Sequence, residues 1–221
     1  MGVLKNYIVA KIRSLILLEL SKHKSDNNIA GAKIHSTAKI IGTVIHGNIS
    51  ISEGVTIDKC VIAGHDINIG RYTSINGPNT TIYAEVNSIQ IGNFCSIARN
   101  VDIQEWNHPV NKLSTSMIGA NCLGIPIRQE MESRGPIIIG HDVWIGTQCV
   151  VLSGVKIGNG AIIGANSVVS SDIPAFAIAV GNPAKVIKYR FDEKRQSEIL
   201  KMEWWNWELK KIVENRDLFG Y

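Results

Sequence analysis

Branched apolar residues recur at every sixth position along most of the chain. Three runs share this spacing: Ile51, Ile57, Ala63, Ile69 and Ile75; Ile91, Ile97 and Ile103; and Ile139, Ile145, Val151, Ile157, Ile163 and Val169. A period of six fits neither the 3.6 residues of a helical turn nor the two-residue alternation of a flat strand. It predicts a short strand and a tight turn repeated around a coil, with three units closing one triangular turn.

The positions around each apolar anchor are regular as well. At six places the residue directly after the anchor is a glycine: Gly70, Gly92, Gly140, Gly146, Gly158 and Gly164. Small or branched residues occupy the fifth position, namely Thr73, Cys95, Val101, Val143, Cys149, Val155, Ala161 and Ser167. Two of the four cysteines are therefore expected to fill the core, and none of the four has the C-x-x-C spacing of a zinc or redox site. The cysteines predict free thiols and a reducing, cytoplasmic compartment, with no bound metal.

The repeat is lost between Ile103 and Ile139, which predicts a protruding loop over residues 104–138. Loops of this length inside a compact domain are usually functional. The loop carries His108, the only one of the six histidines outside both the coil turns and the N-terminal segment. A neutral imidazole accepts a proton near neutral pH, so His108 is the candidate general base.

Residues 1–25 predict an amphipathic helix, because their apolar residues are interrupted by Lys5, Lys11, Arg13 and Glu19. The segment is too broken for a membrane span and lacks a clear signal-peptide cleavage site. Two interpretations stay open: the helix lies on an anionic membrane surface, or it packs on the domain or a neighbouring subunit. The net charge of +4 is spread along the chain without a dense basic run, which argues against nucleic acid as a partner.

Longer stretches resemble a known family. The segments IGNFCSIARNVDIQEWNH and IIIGHDVWIGTQCVVLSGVKIGNGAIIGANSVV, and the tail segments VGNPAKVIKYRF and EWWNWELKKI, are similar to hexapeptide-repeat acyltransferases, in particular the branch with streptogramin and chloramphenicol acetyltransferases. The resemblance spans about residues 65–217. It implies an all-β solenoid, a left-handed parallel β-helix over residues 30–181, with a C-terminal helical extension over 182–221. It also implies a homotrimer and acetyl-CoA as the acyl donor.

The same resemblance assigns roles to single residues. His108 matches the catalytic base, Trp144 the aromatic wall beside the pantetheine arm of CoA, and Thr147 and Ala165 backbone positions that hold this arm, with Gly146 counted among the CoA-binding residues. Four residues match positions near the distal part of CoA: Ser170, Ser171, Lys185 and Lys188. Asn79 aligns with an acceptor-binding asparagine of sugar acetyltransferases. Without the resemblance, Trp144 has a packing role, the serines satisfy turn amides and the lysines are solvated.

The function predicted first is O-acetylation of a sugar in a surface polysaccharide or its precursor, by direct transfer with His108 as the base. Two other enzymes stay open, an antibiotic acetyltransferase and an amino-sugar N-acetyltransferase. A non-catalytic β-helix scaffold is the hypothesis from another class. The γ-carbonic anhydrases share the helix but need three histidines on zinc, and the spacing of His65, His108 and His141 does not resemble their motif.

Overall fold

The computed structural model describes residues 27–220. The amphipathic helix predicted for residues 1–25 lies outside the described residues, so its membrane or subunit contact stays a prediction. No helix within residues 27–220 combines the length and the apolar character needed to cross a bilayer.

Within residues 27–220, seventeen strands form one continuous sheet that coils around the core. In chain order they are β1 Asn28–Ala30, β2 Lys33–Ile34, β3 Lys39–Ile41, β4 Val44–Ile51, β5 Thr56–Ile69, β6 Ser74–Ala84, β7 Ile89–Ile91, β8 Ser96–Ile97, β9 Asp102–Gln104, β10 Ile137–Ile139, β11 Trp144–Ile145, β12 Val150–Leu152, β13 Lys156–Ile157, β14 Ile162–Ile163, β15 Val168–Val169, β16 Ala177–Val180 and β17 Lys185–Tyr189. All pairings are parallel except that of β16 with β17. The predicted parallel β-helix is thus the observed architecture.

The coil has three flat faces, each built around a column of buried side chains in register. Face 1 is centred on Ile45, Ile62, Ile82, Ile103, Val151 and Val169; face 2 on Ile51, Ile69, Ile91, Ile139, Ile157 and Ile173; face 3 on Ile57, Ile75, Ile97, Ile145, Ile163 and Ala179. The chain runs from face 2 to face 3 to face 1 and back to face 2. We name the edges after the faces they join: edge 2–3, edge 3–1 and edge 1–2.

The sequence period correctly predicts most of these columns but fails at one anchor. Ala63, predicted to point inward, lies on the outer side of face 1, and the neighbouring Ile62 is the fully buried residue. The reason is local, because the pairing of β5 with β6 shifts its register between Asp58 and Cys60. The steps between buried residues from Ile57 to Ile62 and from Ile62 to Ile69 are therefore five and seven residues instead of six.

Close approach of successive coils explains the glycine that follows six of the anchors. A Cβ at Gly92 would lie 2.4 Å from the carbonyl oxygen of Gly140, and one at Gly146 would lie 2.7 Å from the backbone nitrogen of Ala165. The small residues at the fifth position fill the corners, and burial raises the pKa of the Cys95 thiol to about 12. Such a thiol is inert at neutral pH, as expected of a residue that only fills space.

The tail packs along edge 2–3 of the coil. It comprises helix α1 Glu193–Met202, a 3₁₀ turn Trp204–Asn206, helix α2 Leu209–Glu214 and a second 3₁₀ turn Arg216–Phe219. The Asp192 carboxylate accepts the Arg195 backbone N–H at 2.8 Å and thereby caps α1. Trp205 is buried and stacks on His141 at edge 2–3, with ring centroids 5.5 Å apart. The tail tryptophans therefore anchor this segment on the coil of its own chain.

Candidate active site

A groove of about 740 Å³ runs along face 3 and edge 3–1. Its lining includes Trp144, Gly146, Thr147 and Ala165, four of the residues that the resemblance assigns to CoA. The structure thus brings this part of the predicted donor site together within one chain. A groove open to solvent along the coil axis suits an elongated ligand that lies along the stack.

Trp144 forms the exposed wall of the groove. Its side chain is 54% exposed on the outer side of β11, which is unusual for a tryptophan that only packs. Trp144 is in register with Ile162 of the next coil, and Ile162 is in turn in register with Ile178 of β16. These side chains form a continuous apolar stripe along face 3.

The stripe ends at a positive charge, because Ile178 pairs with Lys188 of β17. Neighbouring strands lie about 4.8 Å apart, so three strand steps place Lys188 roughly 14 Å from Trp144 along the coil axis. Lys185 lies opposite Val180 on the same strand pair, and both lysines are exposed. The two predicted phosphate-binding lysines therefore lie beyond the groove along the coil axis, Lys188 two strand steps from Ile162, and both are accessible to a ligand.

Thr147 offers a backbone donor at the edge of the groove. Its hydroxyl donates to the Arg99 carbonyl at 2.8 Å, and its own carbonyl accepts the Asn166 N–H at 3.0 Å. These bonds fix the peptide, whereas the Thr147 backbone N–H donates no hydrogen bond to any residue of 27–220. A fixed donor of this kind suits the stabilisation of negative charge on a reacting oxygen.

Asn79 and the two predicted serines lie outside this groove. Asn79 is at edge 3–1, where its side chain donates to the Asn100 side chain at 3.1 Å. Ser170 and Ser171 follow β15 and lie at edge 1–2, across face 1 from the groove. The structure therefore does not place the serines beside the other CoA residues of the same chain.

His108 also lies at edge 1–2, where the long loop leaves the coil. Asn107 and Glu132 pair through two backbone hydrogen bonds of 2.7 and 3.0 Å and close the neck of the loop. His108 follows this pair directly and is exposed, and its Nδ1 lies 2.8 Å from the Thr115 carbonyl oxygen. Since a carbonyl oxygen only accepts, Nδ1 carries the proton and Nε2 has the free lone pair. The imidazole is thus held in the tautomer that a general base needs.

A buried carboxylate organises the distal part of the loop. Glu130 ends a short 3₁₀ turn, Ile127–Glu130, and accepts the Ala120 backbone N–H at 2.7 Å within a π-helical turn, Gly119–Leu123. Lys112 donates to the same carboxylate at 3.3 Å. The Ala120 N–H, with Lys112 acting in the same direction, holds the pKa of the Glu130 carboxyl below its ordinary value. The loop is therefore a folded unit with an ionised anchor.

Two residues beside His108 were missed in the sequence. Glu105 is completely buried, and Trp106 packs between Tyr83 and His108, with ring centroids 5.9 Å from each. The sequence contains a signal for Glu105. Val101 and Ile103 point inward, and the two-residue alternation of a strand makes position 105 the next inward position. A carboxylate at an inward strand position indicates a specific set of hydrogen-bond donors around it.

Within one chain, His108 and the groove are separated by face 1. The Asn107 side chain donates to Ser153 at 3.1 Å, which places the loop neck at the far end of β12 from Thr147. At about 3.3 Å per residue, the extended path from Thr147 to Ser153 is on the order of 15–20 Å. The base and the donor groove of one chain therefore do not meet directly.

Within residues 27–220 no three His, Cys, Asp or Glu side chains are grouped to hold a metal ion. His141 is part of the tail packing, since its Nδ1 accepts the Asn93 backbone N–H at 2.8 Å and burial lowers its pKa. His65 and His141 lie on different edges, and neither is grouped with His108 in a ligand set.

The comparisons with known proteins agree with this geometry. The family described as "Bacterial transferase hexapeptide (six repeats)" matches residues 136–171. A chloramphenicol acetyltransferase from Agrobacterium fabrum is 41% identical over 180 residues, which cover 72% of this chain and 84% of that protein. A putative lipopolysaccharide biosynthesis O-acetyl transferase, WbbJ, from Escherichia coli K12 is 40% identical over 105 residues, covering 48% and 52% of the two chains.

Among solved structures, a point mutant of AntD, an N-acyltransferase from Bacillus cereus, superposes with a TM-score of 0.56 at 27% identity. The match covers 84% of this chain and 95% of that one, and this AntD variant was solved with dTDP-4-amino-4,6-dideoxyglucose and coenzyme A. The present chain spans 64% of the length of a further curated relative, a chloramphenicol acetyltransferase from Klebsiella aerogenes.

A β-helix with a groove along its coils and a histidine-bearing loop defines the class of a hexapeptide-repeat transferase. The chain belongs to the bacterial hexapeptide-repeat acetyltransferases. This confirms the family, the left-handed β-helix and the enzyme class predicted from the sequence. The CoA bound to AntD agrees with the predicted acyl donor.

Proposed function

We propose that the protein transfers an acetyl group from acetyl-CoA to a hydroxyl group of a sugar in a surface polysaccharide or its precursor. The observation that carries the proposal is His108, exposed at a loop neck with Nδ1 bound to the Thr115 carbonyl and Nε2 free to accept a proton. The similarity to the Escherichia coli O-acetyl transferase supports a saccharide acceptor. A scaffold without catalysis explains neither the oriented imidazole nor the exposed Trp144.

The reaction needs one base and one oxyanion donor. His108 Nε2 takes the proton of the acceptor hydroxyl as its oxygen attacks the thioester carbonyl carbon. The negative charge that develops on the carbonyl oxygen is stabilised by the Thr147 backbone N–H. When the tetrahedral intermediate collapses, the carbon–sulfur bond breaks and the imidazolium returns the proton to the CoA thiolate. The thioester is already activated, so no covalent acyl-enzyme is required.

In this proposal the base and the groove meet between protomers of a homotrimer, and face 1 supplies a surface for it. Its outward residues in register are mostly β-branched: Val44, Val61, Thr81, Asp102, Val150 and Val168. If three protomers direct face 1 to a threefold axis, edge 1–2 of each one meets edge 3–1 of the next. His108, Ser170 and Ser171 then lie across from the neighbour's groove, which explains why one chain does not bring them together.

The predicted phosphate contact is tested by Lys188→Glu. This substitution is expected to weaken the binding of CoA by about 10-fold or more, because a carboxylate would then face the phosphates of the ligand. The binding of dephospho-CoA is expected to weaken clearly less. Isothermal titration with both ligands measures the difference. Lys156→Glu, an exposed charge reversal on face 2, is the matched control and is expected to change neither affinity. Equal losses for both ligands would contradict the phosphate contact.

A second candidate function is antibiotic acetylation. The relatives named chloramphenicol acetyltransferase favour it, and the loop exposes large apolar side chains that suit a less polar acceptor, including Val110, Leu113, Leu123 and Ile127. A third candidate acceptor is an amino sugar, the kind of molecule bound in the AntD structure. The amino-sugar product differs from the other two in its chemistry, since an O-acetyl ester is cleaved by hydroxylamine and an amide is not.

Thiol release from acetyl-CoA with a panel of glycans, nucleotide sugars and antibiotics tests the proposed function. The expected result is the highest kcat/KM with a hydroxylated saccharide and a hydroxylamine-sensitive product. A higher kcat/KM with chloramphenicol or a macrolide would replace the proposal by the second candidate. A hydroxylamine-resistant product would replace it by N-acetylation.

A further inference from the structure

Glu105 places a completely buried carboxylate at the root of the loop that carries His108. One carboxylate oxygen accepts the backbone N–H groups of Glu85 and Val86 at 3.1 and 2.9 Å. The other oxygen accepts the Asn87 side-chain amide at 3.1 Å. No Lys, Arg or His side chain within residues 27–220 forms an ion pair with Glu105. Neutral N–H donors alone hold the carboxylate.

This arrangement is not required by the coil itself. Val101 and Ile103 precede Glu105 on the same inward side and are fully buried apolar residues. An apolar residue at 105 would continue that column without the desolvation cost of a carboxylate. What the carboxylate adds is a bond to the turn at residues 85–87, so its role must be sought in the position of that turn relative to the loop.

The turn and the loop are joined at the neck. The Asn87 side-chain amide, besides binding Glu105, donates to the Ser133 hydroxyl at 3.0 Å. Ser133 follows Glu132, whose backbone pairs with Asn107 on the outgoing strand. Glu105 therefore binds the outgoing strand to the incoming one through Asn87.

A second connection holds the same neck to the coil. The Asn107 side chain donates to the Ser153 hydroxyl at 3.1 Å, and Ser153 also accepts the backbone N–H of Arg134 at 3.3 Å. His108 directly follows Asn107, whose backbone is held by Glu132 and whose side chain is held by Ser153. Its backbone position is thus set by the network that starts at Glu105, while its ring is set by the Thr115 carbonyl.

We infer that Glu105 is a positioning residue, whose buried carboxylate fixes the loop neck so that His108 Nε2 points at the acceptor hydroxyl. The inference rests on the proposed function of His108 as the base. It concerns geometry only, since Glu105 is enclosed and touches neither substrate. A displacement of about 1 Å at a base is enough to lower turnover strongly.

Glu105→Gln tests the inference, because it keeps the size of the side chain but turns an amide N–H₂ toward N–H donors. The expected result is a 10- to 100-fold lower kcat, with the KM for acetyl-CoA within about 2-fold of the wild type. The KM is preserved because the donor groove lies at another edge of the coil. Trimer mass and melting curves accompany the kinetics.

A double-mutant cycle with His108→Ala separates positioning from general damage. If Glu105 acts through His108, Glu105→Gln has no further effect in the His108→Ala background. An additional loss there of the same size as in the wild type would overturn the inference, as would an unchanged kcat in Glu105→Gln alone. If His108→Ala itself leaves kcat unchanged, the proposed function fails instead, so the two failures are distinguishable.

A milder variant keeps the test available if Glu105→Gln does not fold. Asn87→Ala removes one of the three donors and the link to Ser133 but leaves both backbone donors in place. It is expected to lower kcat by about 3- to 10-fold, again with an unchanged KM for acetyl-CoA. Lys112→Ala, which removes one contact of Glu130 at the distal part of the loop, is the matched control. Equal kcat losses in the two variants would show that general loop rigidity, not the neck, is what matters.

Discussion

Replacing His108 by Ala is expected to lower kcat by a factor on the order of 10² or more, with little change in acetyl-CoA affinity. The reason is that the imidazole is exposed at the loop neck and is oriented by the Thr115 carbonyl, so that Nε2 can accept a proton. The donor groove is built from Trp144, Gly146, Thr147 and Ala165 at another edge and does not depend on this side chain. Thiol release at saturating acceptor measures kcat, and titration calorimetry measures the affinity.

His65→Ala is the matched control for this experiment. His65 is an exposed histidine on the same edge 1–2 of the coil, near Glu85, and it is not part of the loop. Its removal is expected to leave kcat unchanged. A wild-type kcat in His108→Ala would remove the base from the mechanism, and a loss of the trimer in that variant would assign His108 to assembly.

The sequence predicts the fold well because burial imposes the period directly. An inward residue is needed once per face, so the error at Ala63 arises where the strand register shifts and the step between buried residues is no longer six. The same regularity places Trp144 and Thr147 on one coil of the groove and Ala165 on the next. Local sequence therefore determines the donor side of the site.

The acceptor side depends on contacts that a sequence pattern does not show. The bond from Nδ1 of His108 to Thr115 spans seven residues of irregular loop, and the bonds of Glu105 reach back to residues 85–87. The residues in these contacts are not related by the six-residue repeat, so the repeat does not predict them. The predicted role of Ser170 and Ser171 at the CoA site would require a second protomer, because β12 and β15 of face 1 lie between them and the groove.

Mixing two inactive variants is therefore expected to restore activity if the site is shared between protomers. His108→Ala removes the base, and Ala165→Trp fills the exposed edge of the groove while keeping His108. In a cyclic trimer of both chains, one interface of three joins an intact loop to an intact groove. Random exchange at equal amounts gives mixed trimers in three quarters of cases, so activity is expected to rise from about 1% to roughly a quarter of the wild type.

The experiment uses both variants denatured together and refolded, with each refolded alone as the control. Activity can recover in mixed trimers because one chain supplies an intact His108 loop and the other supplies an open groove. A site contained within one protomer predicts no recovery at any ratio, since each chain would lack either the base or the groove. Co-refolding Ala165→Trp with a double variant, His108→Ala and Ala165→Trp, is also expected to stay inactive, because every interface then has a blocked groove. Activity in that mixture would show that Ala165 is not part of the donor site.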